Sequence, residues 1–331
     1  MRKIICFMSI AILIFALILG TTYPVSAATE SNELDQAISR TSMYLLQRVR
    51  VPQVGTVGGE WTIIGLARSN QPVPPLYFRR YFRAVEQHVR QQNGVLDTRR
   101  ITEYSRVILG LTAAGFDPQN VGGVDLTLPL GDFERTTWQG INGAIFALLA
   151  LDSLDYEIPI NRVATTQATR ELYVAEILSQ QAPNGGWSLT GVSDTIDPDI
   201  TGMALQALAK YQEGPQVSDA IESALNFISS IQNEYGGFTR TRGEPTVEST
   251  AQVLVALTEL GIPLDDPRFV QNGNTVLDNL LSFQNPNGSF RHTLCNPASN
   301  LLSTETGLYA LVAAQRARDG QNSLYRMGAE Q

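Results

Sequence analysis

Apolar positions along the chain recur with the spacing of buried helix faces. Leu277, Leu280 and Leu281 fall on one face, as do Ala224, Phe227, Ile228 and Ile231. Comparable amphipathic stretches cover Glu33–Arg50, Leu76–Gln91, Ala168–Ser179, Val217–Ile231 and Asn274–Phe283, and each predicts a helix with one wet side. A second set of runs, clearest at Gly202–Leu208 and Ala251–Leu257, is apolar nearly all round, which predicts helices covered on most sides. Almost no stretch alternates with the period of a strand, so the chain is predicted all-α. Residues 117–135 are rich in Gly, Asp and Pro and are expected to hold little regular structure, which makes the amphipathic helix before the apolar run at 138–153 the weakest.

The two kinds of helix alternate because the chain repeats itself. Gln181–Trp187, Gln232–Phe238 and Gln284–Phe290 share the pattern glutamine, three residues, glycine, one residue, Trp or Phe, with the glutamines 51 and 52 positions apart. Each is followed by an irregular stretch, an acid with Ser or Thr neighbours, a small residue and an Ala/Leu-rich run. Weaker copies lie upstream, in residues 57–69, 100–115 and 138–153. Anchoring on the small-residue column aligns Glu60, Ser105, Gly143, Gly202, Ala251 and Gly307, at steps of 45, 38, 59, 49 and 56. Six helical hairpins result. Such hairpins cannot bury both faces alone and must stack on their neighbours. The apolar second helices suit an inner ring and the more charged first helices an outer one. No linker divides the chain, so a single domain is expected over residues 30–320, with residues 321–331 as a C-terminal tail.

Residues 1–27 are set apart from this pattern. Arg2 and Lys3 precede an apolar run from Ile4 to Gly20, and the segment ends Val25-Ser26-Ala27, which reads as a secretory signal peptide cleaved after Ala27. A secreted or cell-surface protein is therefore expected, the rival being an uncleaved anchor. The formal net charge is −8, and without Arg2 and Lys3 the balance is 22 basic against 32 acidic residues. A nucleic-acid partner is not expected, because neutralising phosphates takes a basic face. Beyond the leader Cys295 is the single cysteine, so packing rather than disulfides must hold the fold.

The glutamine–glycine–aromatic element resembles the repeat of squalene/oxidosqualene cyclases and protein prenyltransferase β-subunits, the prenyltransferase and squalene oxidase repeat. It is especially similar to secreted bacterial proteins carrying such repeats. The resemblance covers roughly residues 58–318, is strongest from 168 on, and implies an α/α toroid. A related toroid forms the helical domain of cobalamin carriers, which implies a third ligand class; the β domain with which those carriers clasp the corrinoid has no counterpart here.

The resemblance also supplies candidate chemistry. Class II terpene cyclases carry an Asp-x-Asp-Asp-Thr-Ala motif whose middle Asp protonates an alkene or epoxide. The matching run here is Asp197-Pro198-Asp199-Ile200-Thr201-Gly202, so Asp199 falls on the acid position, with Asp197 beside it and Ile200 in place of the third Asp. A carboxyl that protonates an alkene needs tuning neighbours, and one is missing. A structural reading competes: Asp197 as N-cap, Pro198 at the first helical position and Asp199 in the first turn. Thr246 with Glu248, and Ser303 with Glu305, offer the same service in the next two units.

Protein prenyltransferases hold zinc through Asp, Cys and His. Only His88, His292 and Cys295 are available as nitrogen or sulfur ligands beyond the leader, so no metal and no cofactor are expected. A carbohydrate-active reading with paired carboxylates among Asp197, Asp199, Glu248 and Glu305 is also weighed, though the repeat type does not favour it.

Inner helices that all follow the same loop run parallel and gather six N-termini at one mouth. An apolar-walled funnel with a polar rim is expected there, lined by Trp61, Tyr104, Trp138 and Tyr309, with Glu248 and Glu305 as further ligand contacts. The function expected from these readings is a non-catalytic binding module for a small or extended apolar ligand, with a cell-surface partner. The alternatives are a terpenoid-cyclase-like enzyme using Asp199 and a cobalamin-carrier-like domain.

Overall fold

The repeated loops join alternating outer and inner helices. In the computed structural model, which describes residues 27–191, 196–239 and 244–328, the described residues form twelve α-helices. The outer helices are α1 (Ala27–Arg48), α3 (Pro75–Gln91), α5 (Phe133–Thr137), α7 (Arg170–Ser179), α9 (Pro215–Ile231) and α11 (Val276–Ser282). The inner ones are α2 (Glu60–Arg68), α4 (Thr102–Ala113), α6 (Ile141–Asp152), α8 (Pro198–Leu208), α10 (Val247–Glu259) and α12 (Leu301–Arg318). The leader, apart from Ala27, lies outside the described residues. Among the described residues no helix is long and apolar enough to cross a membrane.

Burial separates the two sets as the patterning predicts. The outer α3 buries Tyr77, Tyr81, Val85 and Val89, one face at a spacing of four. The inner α12 buries every residue from Ser303 to Arg316. The third outer helix is a single turn and a half behind a short 3-10 turn at Leu128–Gly131, because the Gly/Asp/Pro composition upstream offers no longer helical run.

The ring closes. α2 packs on α4, α4 on α6, α6 on α8, α8 on α10, α10 on α12, and α12 back on α2. One hydrophobic core runs from Leu34 to Tyr325, as a single domain requires.

The glutamine of each repeat holds the outer layer to the next unit. The Gln181 amide donates to Gly185 O and to Ala220 O on α9, at 2.7 and 2.8 Å. Gln232 does the same for Gly236 O and Phe269 O. Gln284 instead reaches α1, donating to Ala37 O at 2.9 Å and Thr41 Oγ1 at 2.7 Å, so the same device closes the ring. The repeat glycine is explained alongside. Gly185 and Gly288 have φ of +94° and +87°, and a Cβ on either would sit 2.3 Å from a carbonyl oxygen of the next outer helix, Ser223 or Arg40. Only glycine meets both conditions. The aromatic that ends the motif is fully buried, and the backbone N–H of Trp187 and of Phe290 donates to a threonine hydroxyl fourteen residues on, Thr201 or Thr304.

That regularity corrects the sequence alignment. The N-caps of α8, α10 and α12 are Asp197, Thr246 and Asn300. Counting from them, Glu305 and not Gly307 takes the place of Gly202 and Ala251, and Ser303 lies inside its helix rather than capping it. From the repeat aromatic to the N-cap the chain takes ten residues in the first and third copies and eight in the second, and in the third that stretch holds a hairpin pairing Phe290–Arg291 with Ser299–Asn300.

Residues 322–327, within the expected C-terminal tail, pack against the ring. Leu324 and Tyr325 are buried. Arg68, at the end of α2, donates to the carbonyls of Ser323, Leu324 and Arg326. Glu259, at the end of α10, accepts from Ser323 Oγ and Tyr325 N, and Met327 N donates to Ser153 O beyond α6. The segment therefore lies across the C-terminal ends of the inner helices and stoppers that side of the ring.

Candidate functional site at the inner mouth

The first turns of neighbouring inner helices are laced together by acids. Ser249 Oγ on α10 donates to Asp199 on α8 at 2.5 Å, and Ser303 Oγ on α12 donates to Glu248 on α10 at 2.5 Å. Thr62 Oγ1 on α2 donates to Glu305 on α12, and Gly58 N donates to the same oxygen at 2.9 Å. Arg106 on α4 reaches Glu60 on α2 at 3.0 Å. At these four junctions the first two turns of one helix meet the first two turns of the next, so these helices are parallel. An acid near a helix N-terminus is favoured by the dipole, and here each also spans to the next helix.

Two of these carboxyls are fully buried. Burial pushes Glu305 up to about 7, against the hydrogen bonds from Thr62 and Gly58, with the charge of nearby Glu60 pushing the same way. Its second oxygen, Oε2, has no hydrogen-bond partner. Burial also raises Glu60, and outweighs the Arg106 guanidinium beside it. Tyr81 donates to Glu60 at 3.2 Å.

Inside the ring the axis is filled. The Gln206 amide donates to Gln252, and the Gln252 amide donates to Tyr309 Oη at 2.7 Å. Trp61 packs between Tyr309 and Phe146, with ring centroids 5.6 and 6.1 Å away. Above this floor, at the N-terminal mouth on the α2–α4–α6 side, lies a cavity of about 370 Å³. Its apolar walls are Trp61, Phe146 and Leu189. Its polar walls are Thr56, Thr102, Arg106, Gln139 and Asn142. The lining is therefore mixed, where the sequence suggested an apolar funnel, because the first turns of α4 and α6 face inward with their polar residues.

The sequence-predicted residues divide accordingly. Trp61 lines the cavity and Tyr309 supports it from below. Tyr104 is buried, but its hydroxyl accepts from Leu96 N at 2.9 Å and so holds the loop before α4. Trp138 is 58% exposed, with the Arg99 guanidinium 4.3 Å above its ring, outside the cavity. Asp197 caps α8 through Ile200 N at 2.8 Å. Asp199, Glu248 and Glu305 face neighbouring helices and are not among the lining residues. Sequence reasoning missed Arg106, Gln139 and Asn142. Thr102 with Arg106, and Asn142 with Phe146, are i,i+4 pairs at helix starts, a signal that could have found them.

The candidate soft ligands do not converge. His292 Nδ1 lies 2.7 Å from Glu248 Oε2, while Cys295 is exposed and Glu244 beside it pushes its thiol up. Among the described residues no three His, Cys, Asp or Glu side chains are grouped to hold a metal ion.

A closed double ring of parallel inner helices with one open mouth defines an α/α toroid. The sequence matches the prenyltransferase alpha-alpha toroid domain over residues 131–244 and 203–315, and the chain belongs to that family. No curated protein matches it. Among solved structures, the type II terpene cyclase MstE from Scytonema is similar at 14% identity, with a TM-score of 0.57, covering 86% of this chain and 99% of that one. A variant of the same cyclase in complex with geranylgeranyl dihydroxybenzoate aligns at 13% identity and a TM-score of 0.56, over 88% of this chain and 100% of that one. A polysaccharide lyase aligns at 13% identity and a TM-score of 0.59, over 87% and 98%. At these identities the likeness is one of fold.

Proposed function

We propose that this chain is a secreted or cell-surface binding module that holds a small ligand in the open mouth of the toroid and performs no chemistry on it. The observation that carries the reading is the separation of acid from cavity. Asp199, the residue in the cyclase acid position, receives a hydrogen bond from Ser249 and does not line the mouth cavity. A general acid must reach the atom it protonates. Export follows from the leader of residues 1–27. A cavity of about 370 Å³ lies at the small end of the ~300–1,000 Å³ range of ligand sites.

A second reading, a class II cyclase using Asp199, draws on the solved neighbours, whose bound molecules are geranylgeranyl dihydroxybenzoate and merosterolic acid A. The two are separated by incubating the purified chain with squalene, oxidosqualene and geranylgeranylated phenols and analysing the extract for cyclised products. The binding reading expects none. Turnover that is abolished by Asp199→Asn would replace it with the cyclase.

A further inference from the structure

We infer that the mouth cavity is built for the end of a neutral carbohydrate, one or two pyranose rings, rather than for an isoprenoid chain; this rests on the binding reading above. The inference starts from the lining. Trp61 and Phe146 offer two aromatic faces, tilted by 51° to one another, and the C–H face of a pyranose packs on such surfaces. Around them stand amide groups with unused capacity. Gln139 Oε1 accepts from Thr102 N and Oγ1, both at 3.2 Å, which leaves its NH2 uncommitted. Asn142 Oδ1 is buried without any hydrogen-bond partner. A donor and an acceptor beside aromatic faces match the paired hydroxyls of a sugar. An all-carbon chain in the same place would leave those amides unpaired and desolvated, which is costly.

Charge narrows the class further. Arg106 is the one cation among the lining residues, and it is committed. Its Nε meets Glu60 at 3.0 Å and its other nitrogens meet Glu103. Two carboxylates on one guanidinium leave no positive charge for a diphosphate or a uronate. Shape supplies the last restriction. The floor of Trp61, Phe146 and Tyr309, and the stopper at Leu324–Met327 beneath the ring, make the cavity a dead end. A dead end accepts a chain terminus, not the middle of a polymer.

The test is titration of the purified chain with cellobiose, xylobiose, maltose and N,N′-diacetylchitobiose, followed by calorimetry and tryptophan emission. Geranylgeraniol and digalacturonate are titrated in parallel. At least one neutral disaccharide is expected to saturate the protein with a dissociation constant below about 1 mM. Trp61→Phe and Asn142→Ala are expected to weaken it at least tenfold, with Gln139→Ala as an additional variant and far-UV circular dichroism to verify folding. Trp138→Phe, outside the cavity, is expected to leave it unchanged. If geranylgeraniol binds and no neutral sugar does, the carbohydrate inference fails and the binding reading stands. If nothing in the panel binds, both fail. Tighter binding of digalacturonate than of the neutral sugars, or sugar binding indifferent to the cavity variants, also overturns the inference.

Discussion

Glu305→Gln should flatten part of the pH dependence of stability. Glu305 is fully buried at the junction of α12 with α2, the place where the last hairpin meets the first. Its carboxyl is raised from 4.5 to about 7, chiefly by burial. Between these values the folded protein holds a proton that the unfolded chain has released. Stability therefore falls as pH rises through that window, and the loss is complete above about pH 7. A shift of about 2.5 units corresponds to about 3 kcal/mol. Glutamine keeps an oxygen for Thr62 and Gly58 but carries no proton equilibrium. Urea unfolding of both proteins, followed by circular dichroism from pH 4.5 to 8, gives the difference directly. Glu60 and Glu259, also raised by burial, remain in both proteins, so their contributions largely cancel in the difference. The stability of the variant relative to the parent should climb by about 3 kcal/mol across the range. A difference that stays level with pH would refute the argument that Glu305 is protonated in the folded ring.

Two further outcomes follow from the same junctions. Arg106→Met strands Glu60 as a buried charge and should cost about 3–5 kcal/mol in urea unfolding, while adding Glu60→Gln should recover at least half of it; a single variant within about 1 kcal/mol of the parent would contradict the pairing. Gln284→Ala removes the bonds to Ala37 O and Thr41 Oγ1 and should cost about 1–3 kcal/mol. Hydrogen exchange should accelerate at α1 and α12 before other helices, and unchanged protection at α1 would count against Gln284 as the closing contact.

The parts of the fold that were legible in the sequence are those in which one residue type does one local job. In all three copies the glutamine of the repeat makes a bond to the next unit, the glycine sits where a Cβ would meet a carbonyl oxygen, and the aromatic is fully buried, and Asp197 caps α8 as the following Pro198 suggests. Glu305 was passed over because the column was anchored on small residues, and Gly307 offered one two positions beyond the place that the N-cap Asn300 assigns. Tyr104 was read as lining the funnel because it sits on an inner helix, yet helix membership does not fix which way a hydroxyl turns; Leu96 N does. The polar wall of the cavity escaped for a related reason. Thr102, Arg106, Gln139 and Asn142 look like ordinary hydrophilic helix starts until ring closure points them at one another. The segment after Asn322 carries only Leu324, Tyr325 and Met327 as apolar signal, too little to distinguish a stopper from a loose end.

Ring closure sets a condition on how the molecule is made. Helix α1 has its partner on α12, and Gln315 and Arg318 near the end of α12 grip Asp35 near the start of α1. Until the ribosome has finished that distant stretch, the earliest helix has its greasy stripe exposed and its counterpart unsynthesised. Contacts of such sequence separation form slowly. A nascent chain of this design must be sheltered, or kept uncoiled, until its two extremities can meet.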